Sequence, residues 1–191
     1  MEPRRLSPER EAVFPNLRKE DYLVTSDEDW AYNCIAHAVD RRDAPWWPVE
    51  EGTEGVFWPE GIPREETLAC FLLAFGIVGY QPCDSSEVEE EFDKIALYIG
   101  SSGAPRHAAK QLASGGWSSK LGEWEDIEHK TLASLEAGEG DAEGYGKVAR
   151  ILRRKRPSPP PAKEELTAPV APIVPETTEA RQVDSQKESP Q

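Results

Sequence analysis

Cysteine is scarce: the 191 residues hold three, Cys34, Cys70 and Cys83, with no Cys-x-x-Cys pair. An odd, scattered set of thiols excludes a disulfide-stapled framework and the common structural zinc spacings. Basic charge is short as well, since 22 Lys and Arg against 36 Asp and Glu leave a formal net charge of -14. A nucleic-acid-binding body needs a basic stripe for phosphates, so nucleic acid is not an expected partner. Apolar runs are brief. None approaches the roughly 20 residues of a bilayer-spanning helix, and Met1–Glu20 lacks the charged-then-apolar pattern of a secretory leader. No membrane partner is expected, and the thiols fit a cytoplasmic, bacterial-type protein. Internal repeats are missing. So is a phosphate-binding glycine loop, because Gly115-Gly116 reads as a hairpin turn and Gly138–Gly146 has no strand before it. Neither a cofactor nor a metal is called for.

What is present divides the chain in three. Residues 157–191 carry eight prolines and no aromatic, a composition that cannot repay the entropy of ordering. A disordered, Pro-rich, acidic tail is therefore expected over 156–191, and its Pro157-Ser158-Pro159-Pro160-Pro161 can serve as a ligand for a proline-recognising partner. Residues 1–24 read as an N-terminal extension, with Phe14, Leu17, Tyr22, Leu23 and Val24 able to lay an extended segment on the body. A single globular domain is expected over 25–155.

Within that domain, Thr25–Asp29 offers several helix caps, and Trp30–Val39 is apolar or small at nearly every position. It reads as a buried helix. Ala44–Pro59 is a loop with Trp46, Trp47, Phe57 and Trp58, which either close the core or present a ligand-contacting surface. A second, amphipathic helix opens at Ile62–Thr67 and ends near Gly79, with Leu68, Phe71, Leu72 and Phe75 on one face. The acidic run Glu87–Asp93 reads as solvated surface. Lys94–Ile99 is strand-like, and Arg106–Leu112 with Trp117–Leu121 forms a hairpin across Ala113–Gly116. That pairing sets Ala108, Leu112, Trp117 and Leu121 on one face, and His107, Gln111, Ser118 and Lys120 on the other. Glu123–His129 reads as a charged loop, Thr131 caps a short helix through Leu135, and Val148, Ile151 and Leu152 make a last element. The fold class is α+β: a buried N-terminal helix and a second amphipathic helix packed on an antiparallel sheet.

One arrangement carries a mechanism. Cys34 near a helix start sits where the helix dipole favours thiolate, and His107 at a strand start can act as its base. Asn33 beside the thiol can add an oxyanion donor, Asp126 or Glu125 can reach in from the loop to orient the imidazole, and Trp46 and Trp47 can contact substrate. His37, one turn after Cys34, is either a satisfied helix-face histidine or, with His107 or Cys83, part of a metal site. His129 pairs locally with Glu125 or Glu128.

The succession YNCIAHAV, FWPEGIPREETL, GYQPC, KIALY, HAAKQL, WSSKLG, EDIEH and YGKV resembles an uncharacterised bacterial family of unknown function, over roughly Trp30 to Arg154. The asparagine-cysteine helix followed by a histidine hairpin is more loosely similar to papain-like and NlpC/P60-type amidases. That likeness implies a papain-like fold with Cys34 as nucleophile and His107 as base. Two functions follow as expectations. One is a thiol hydrolase acting on an amide or ester of a small molecule or peptide. The other is a non-catalytic binding or interaction module that uses the tryptophan-rich loop.

Overall fold

The run Lys94-Ile95-Ala96-Leu97-Tyr98-Ile99 is apolar on both alternating faces, which is the pattern of a strand covered on both sides. In the computed structural model it is the heart of strand β3 (Phe92–Ile99). The structure describes residues 4–138 and 144–156, so the expected tail and most of the Gly138–Gly146 break lie outside the described residues. Among the described residues, the other strands are β1 (Leu23–Val24), β2 (Gln81–Cys83), β4 (Pro105–Gln111), β5 (Trp117–Lys120), β6 (Asp126–His129) and β7 (Lys147–Lys155). They form one antiparallel sheet in the order β1-β6-β5-β4-β3-β7-β2. With the helices α1 (Pro8–Val13), α2 (Cys34–Ala38) and α3 (Leu68–Ile77), the architecture is α+β.

Two apolar cores lie on the two sides of this sheet. Ile95, Leu97, Ala108 and Leu152 pack beneath α2, α3 and the tryptophans Trp46 and Trp58. Ala96, Tyr98, Ala109, Trp117 and Ile127 pack instead against Leu6, Phe14, Leu17, Tyr22, Val24 and Leu135. The N-terminal residues thus form a cover for the second face, and through Phe14 they do so as a helix rather than an extended segment. Ser7 accepts a hydrogen bond from Arg10 N, Pro8 pre-sets the first turn, and Glu9 and Glu11 face the positive end of the dipole.

Both helices of the first core are shorter than the apolar pattern predicts. Asn33 Oδ1 accepts from Ala36 N at 3.1 Å, and this cap starts α2 at Cys34 rather than at Trp30. Upstream, Ala31 N donates to Asp29 Oδ1 at 2.9 Å, a turn that leaves Trp30 69% exposed. Thr67 caps α3 in the same way through Cys70 N, so Pro63 falls outside the helix. Its end is a Schellman turn, with Tyr80 N donating to Phe75 O at 3.1 Å and Gly79 at φ +88°.

The hairpin differs from expectation by one residue of register. Lys110 pairs with Ser118 and Ala109 with Ser119, so His107, Ala109, Trp117 and Ser119 share one face while Ala108, Lys110, Ser118 and Lys120 share the other. The cause is a three-residue loop, Ala113-Ser114-Gly115: Gly115 N donates to Leu112 O, and Leu112 N donates to Gly116 O. Gly115 takes φ +92°, the left-handed residue of a hairpin loop closed by a bulge. A one-residue slip carries every side chain to the opposite face. The segment read as a charged loop is also a strand, β6, in which Ile127 and His129 are buried and Glu128 is exposed. In the acidic run, Glu89 holds Lys94 at 2.6 Å and Arg153 at 2.8 Å, so that carboxylate clamps β3 to β7.

A Gly115→Val chain should show what this loop contributes. The added Cβ meets only Val88 Cγ2 at 3.6 Å, an ordinary contact, so the cost is backbone strain. A loss of about 1–2 kcal/mol in urea unfolding is expected, with the fold retained.

Candidate functional site

Cys34 and His107, the pair expected to be catalytic, do not share a site. The Cys34 side chain is sealed in the first core and lies against the main chain of Ala108. His107, the preceding residue on β4, points through the other face, between the ring of Tyr98 and the stacked ring of Tyr145, whose centroid is 4.1 Å away. Burial pushes the Cys34 thiol up to about 11, and burial with the nearby His129 holds His107 well below the usual imidazole range. A five-residue helix supplies too little dipole to reverse that. Burial thus favours the neutral forms of both side chains.

Asp126 stands with His37 instead of His107. Its Oδ2 accepts the Tyr32 hydroxyl at 2.8 Å and lies 3.4 Å from Arg42 and 3.6 Å from His37 Nδ1. The other ring nitrogen of His37, Nε2, is 2.9 Å from Ser118 Oγ. With Nδ1–H turned to the carboxylate, Nε2 accepts the serine proton. Lys120, paired across the sheet with Asp126, is sealed beside them, donates to Trp124 O and sits 5.1 Å from the Tyr32 ring centre. Burial is the main cause that lowers Lys120 and brings His37 down to about 4, the Asp126 charge opposing it in both. Serine, histidine and carboxylate here follow the order of a hydrolytic triad. Ser118 nonetheless lies under α2 at 6% exposure, and the carboxylate oxygen nearest His37 is already shared with Tyr32 and Arg42. The cluster ties α2 to strands β5 and β6, and Asp126 Oδ1 is buried with no partner among the described residues.

A second polar chain occupies the opposite face. His129 Nδ1–H donates to Thr131 O at 2.8 Å, which leaves His129 Nε2 as an acceptor. Ser119 Oγ, 2.9 Å away, gives its proton there and accepts from His107 Nε2–H at 3.0 Å. Every donor in this chain has one direction when both histidines are neutral, and His107 Nδ1 is left as a sealed lone pair with no partner. His129 therefore bonds Ser119 and Thr131 rather than Glu125, which pairs with Arg10, or Glu128, which is exposed. Burial brings His129 down to about 4.

The residues expected to meet substrate are committed to the fold. Both ends of the Asn33 amide are used: Oδ1 takes Ala36 N and Trp46 N, and Nδ2 donates to Trp46 O at 2.9 Å. Trp46 is 2% exposed. Trp47 is half-buried, donates to Glu66 at 3.0 Å and stands edge-on to Phe71. The tryptophan loop closes the first core. Among the described residues, no group of three His, Cys, Asp or Glu side chains is placed to hold a metal, and His37, His107 and Cys83 lie on α2, β4 and β2 respectively. Nor, among the described residues, is any helix long and apolar enough to cross a membrane.

Helix α3, Leu-Ala-Cys-Phe-Leu-Leu-Ala-Phe-Gly-Ile, has no charged residue, and only Cys70, Phe71, Ala74 and Phe75 are buried. Its outer face shows Ala69, Leu73, Gly76 and Ile77, with Leu73 53% and Ile77 63% exposed. An all-round apolar helix normally has cover on every side. The expected amphipathic helix therefore has an apolar outer face.

With this geometry in hand, the comparisons place the chain in a family. Residues 23–153 match the family described as a domain of unknown function (DUF7689), and the chain belongs to it. No curated protein and no solved structure matches the chain.

The buried histidines predict an acid response with a fixed sign. His129 has its folded midpoint near 4, below the free imidazole value of 6.5, so the unfolded chain binds its proton first as pH falls. Its contribution is complete above pH 6.5 and is lost progressively down to pH 4. Between pH 7.5 and pH 5 the wild-type chain should lose about 2 kcal/mol through this group. A His129→Gln chain, followed by urea unfolding at both pH values, should show that much less pH dependence.

Proposed function

We propose that this domain is a non-catalytic interaction module, and that it docks an apolar protein surface on the outer face of α3. The observation that carries the reading is the exposure of Leu73 and Ile77, one turn apart on a helix without a charge. In a chain of net charge -14, that stripe is where a partner meets apolar contact without like-charge repulsion. The sealing of Cys34 and its separation from His107 remove the main support for a thiol hydrolase. The closure of the tryptophan loop over Phe71 moves the binding surface from that loop to the helix.

Two measurements test it. A photo-reactive benzoylphenylalanine at Leu73 should capture a protein several-fold more efficiently than the same group at exposed Glu51, and equal capture at both positions would sink the reading. Iodoacetamide should modify Cys34, in a Cys70→Ser, Cys83→Ser chain, only as fast as the protein unfolds. Rapid alkylation of the folded chain below pH 7 would restore the hydrolase.

A further inference from the structure

We propose that the occupant of the α3 face is a second copy of this chain, joined through an antiparallel, two-fold α3–α3 contact. The inference rests on the docking reading above and names its partner. Its basis is the arrangement of sizes along the stripe. Leu73 stands at the centre, with Ala69 four residues before it and Ile77 four residues after it. A two-fold axis through Leu73 brings Leu73 against itself and sets the small Ala69 of one copy opposite the large Ile77 of the other. Gly76, also exposed and with, among the described residues, nothing beyond its chain neighbours and the helix's own backbone within 4 Å of where a Cβ would stand, leaves room for the facing helix to approach. An isologous contact of this kind closes on itself and leaves no free apolar surface behind.

Charge selects the same orientation. Exposed Glu65 and Glu66 precede the N-terminal end of α3. Arg154 lies against its C-terminal end, 3.6 Å from the position a Cβ would take on Gly79 and with its guanidinium 4.6 Å from the Tyr80 ring centre. Antiparallel pairing places the glutamates of one copy beside Arg154 of the other, where Asp93 takes part of its charge at 3.1 Å. Parallel pairing would set glutamate against glutamate. A helix of ten residues is about 15 Å long. The contact is therefore smaller than the roughly 800 Å² per partner of a standard interface. The dimer should be weak and concentration-dependent, with a dissociation constant in the micromolar range or above.

Sedimentation equilibrium of the full chain over about three decades of concentration reads this directly. The weight-average mass should rise from 21.3 kDa toward twice that value. Leu73→Asp should weaken association at least tenfold, and Glu65→Lys several-fold, with circular dichroism and melting temperature unchanged because both side chains are exposed. Leu73→Cys in a Cys83→Ser chain should form a symmetric disulfide dimer under mild oxidation much faster than Glu51→Cys in the same background. A wild-type chain that stays monomeric throughout, or self-association that Leu73→Asp does not weaken, overturns the second copy as partner. So does equal cross-linking of the two cysteine variants. If the chain is monomeric and the photo-reactive group at residue 73 still captures another protein, the docking face stands and only its occupant was wrong. Loss of both signals ends both.

Discussion

The central strands are covered on both faces, and the rest of the structure answers to that constraint. Strand β3 loses Ile95, Ala96, Leu97 and Tyr98 completely from solvent, and β4 loses His107, Ala108 and Ala109. Polar groups buried there gain by finding partners inside the protein, because an unpaired buried donor or acceptor costs about 1–3 kcal/mol, and among the described residues His107 Nδ1 and Asp126 Oδ1 are exceptions. Strands β5 and β6 carry several such groups on each side. Ser118, Lys120 and Asp126 turn toward α2 and meet His37 and Tyr32; Ser119 and His129 turn the other way and meet His107 and the Thr131 carbonyl. The two networks lie back to back across the same strands. One ties α2 to strands β5 and β6, and the other ties β4, β5 and β6 to the segment that follows them.

This arrangement explains why the chemistry-bearing residues and the exposed apolar surface lie apart. Asn33 spends its amide on the α2 cap and on Trp46, and Trp46 packs tilted against Phe57 at 4.7 Å, in the same core as Cys34. Farther along, α3 presses Phe71 and Phe75 into the same core and turns Leu73 and Ile77 outward. The buried histidines thus lie apart from the exposed aliphatic stripe of α3.

Much of this was legible in the residues themselves. Lys94–Ile99 reads as a strand, Gly79 suits a helix end, and the motif string from YNCIAHAV to YGKV marks a family of unknown function. Apolar runs overstated both helices, because Asn33 and Thr67 captured backbone donors after the pattern had begun. The site was less legible. Tyr32 and His37 lie far along the chain from Ser118 and Asp126, and only Ile127 marks the segment around Asp126 as a strand.

The sequence by itself determined the α+β class, the central strand and the scarcity of thiols and basic charge, since local periodicity and composition record what each segment can bury. Only the tertiary structure decided which face each side chain takes. Gly115 at φ +92° shortens the hairpin loop to three residues, and that slip moves Ser118 and Lys120 beneath α2 and brings His107 and Ser119 together on the far side. A strand alternates with period two, so its faces depend on register. Register is set by a turn whose geometry the residue types allow but do not dictate. For the same reason an all-apolar helix can be read from its residues, whereas the face that nothing covers is known only when the rest of the chain has folded around it.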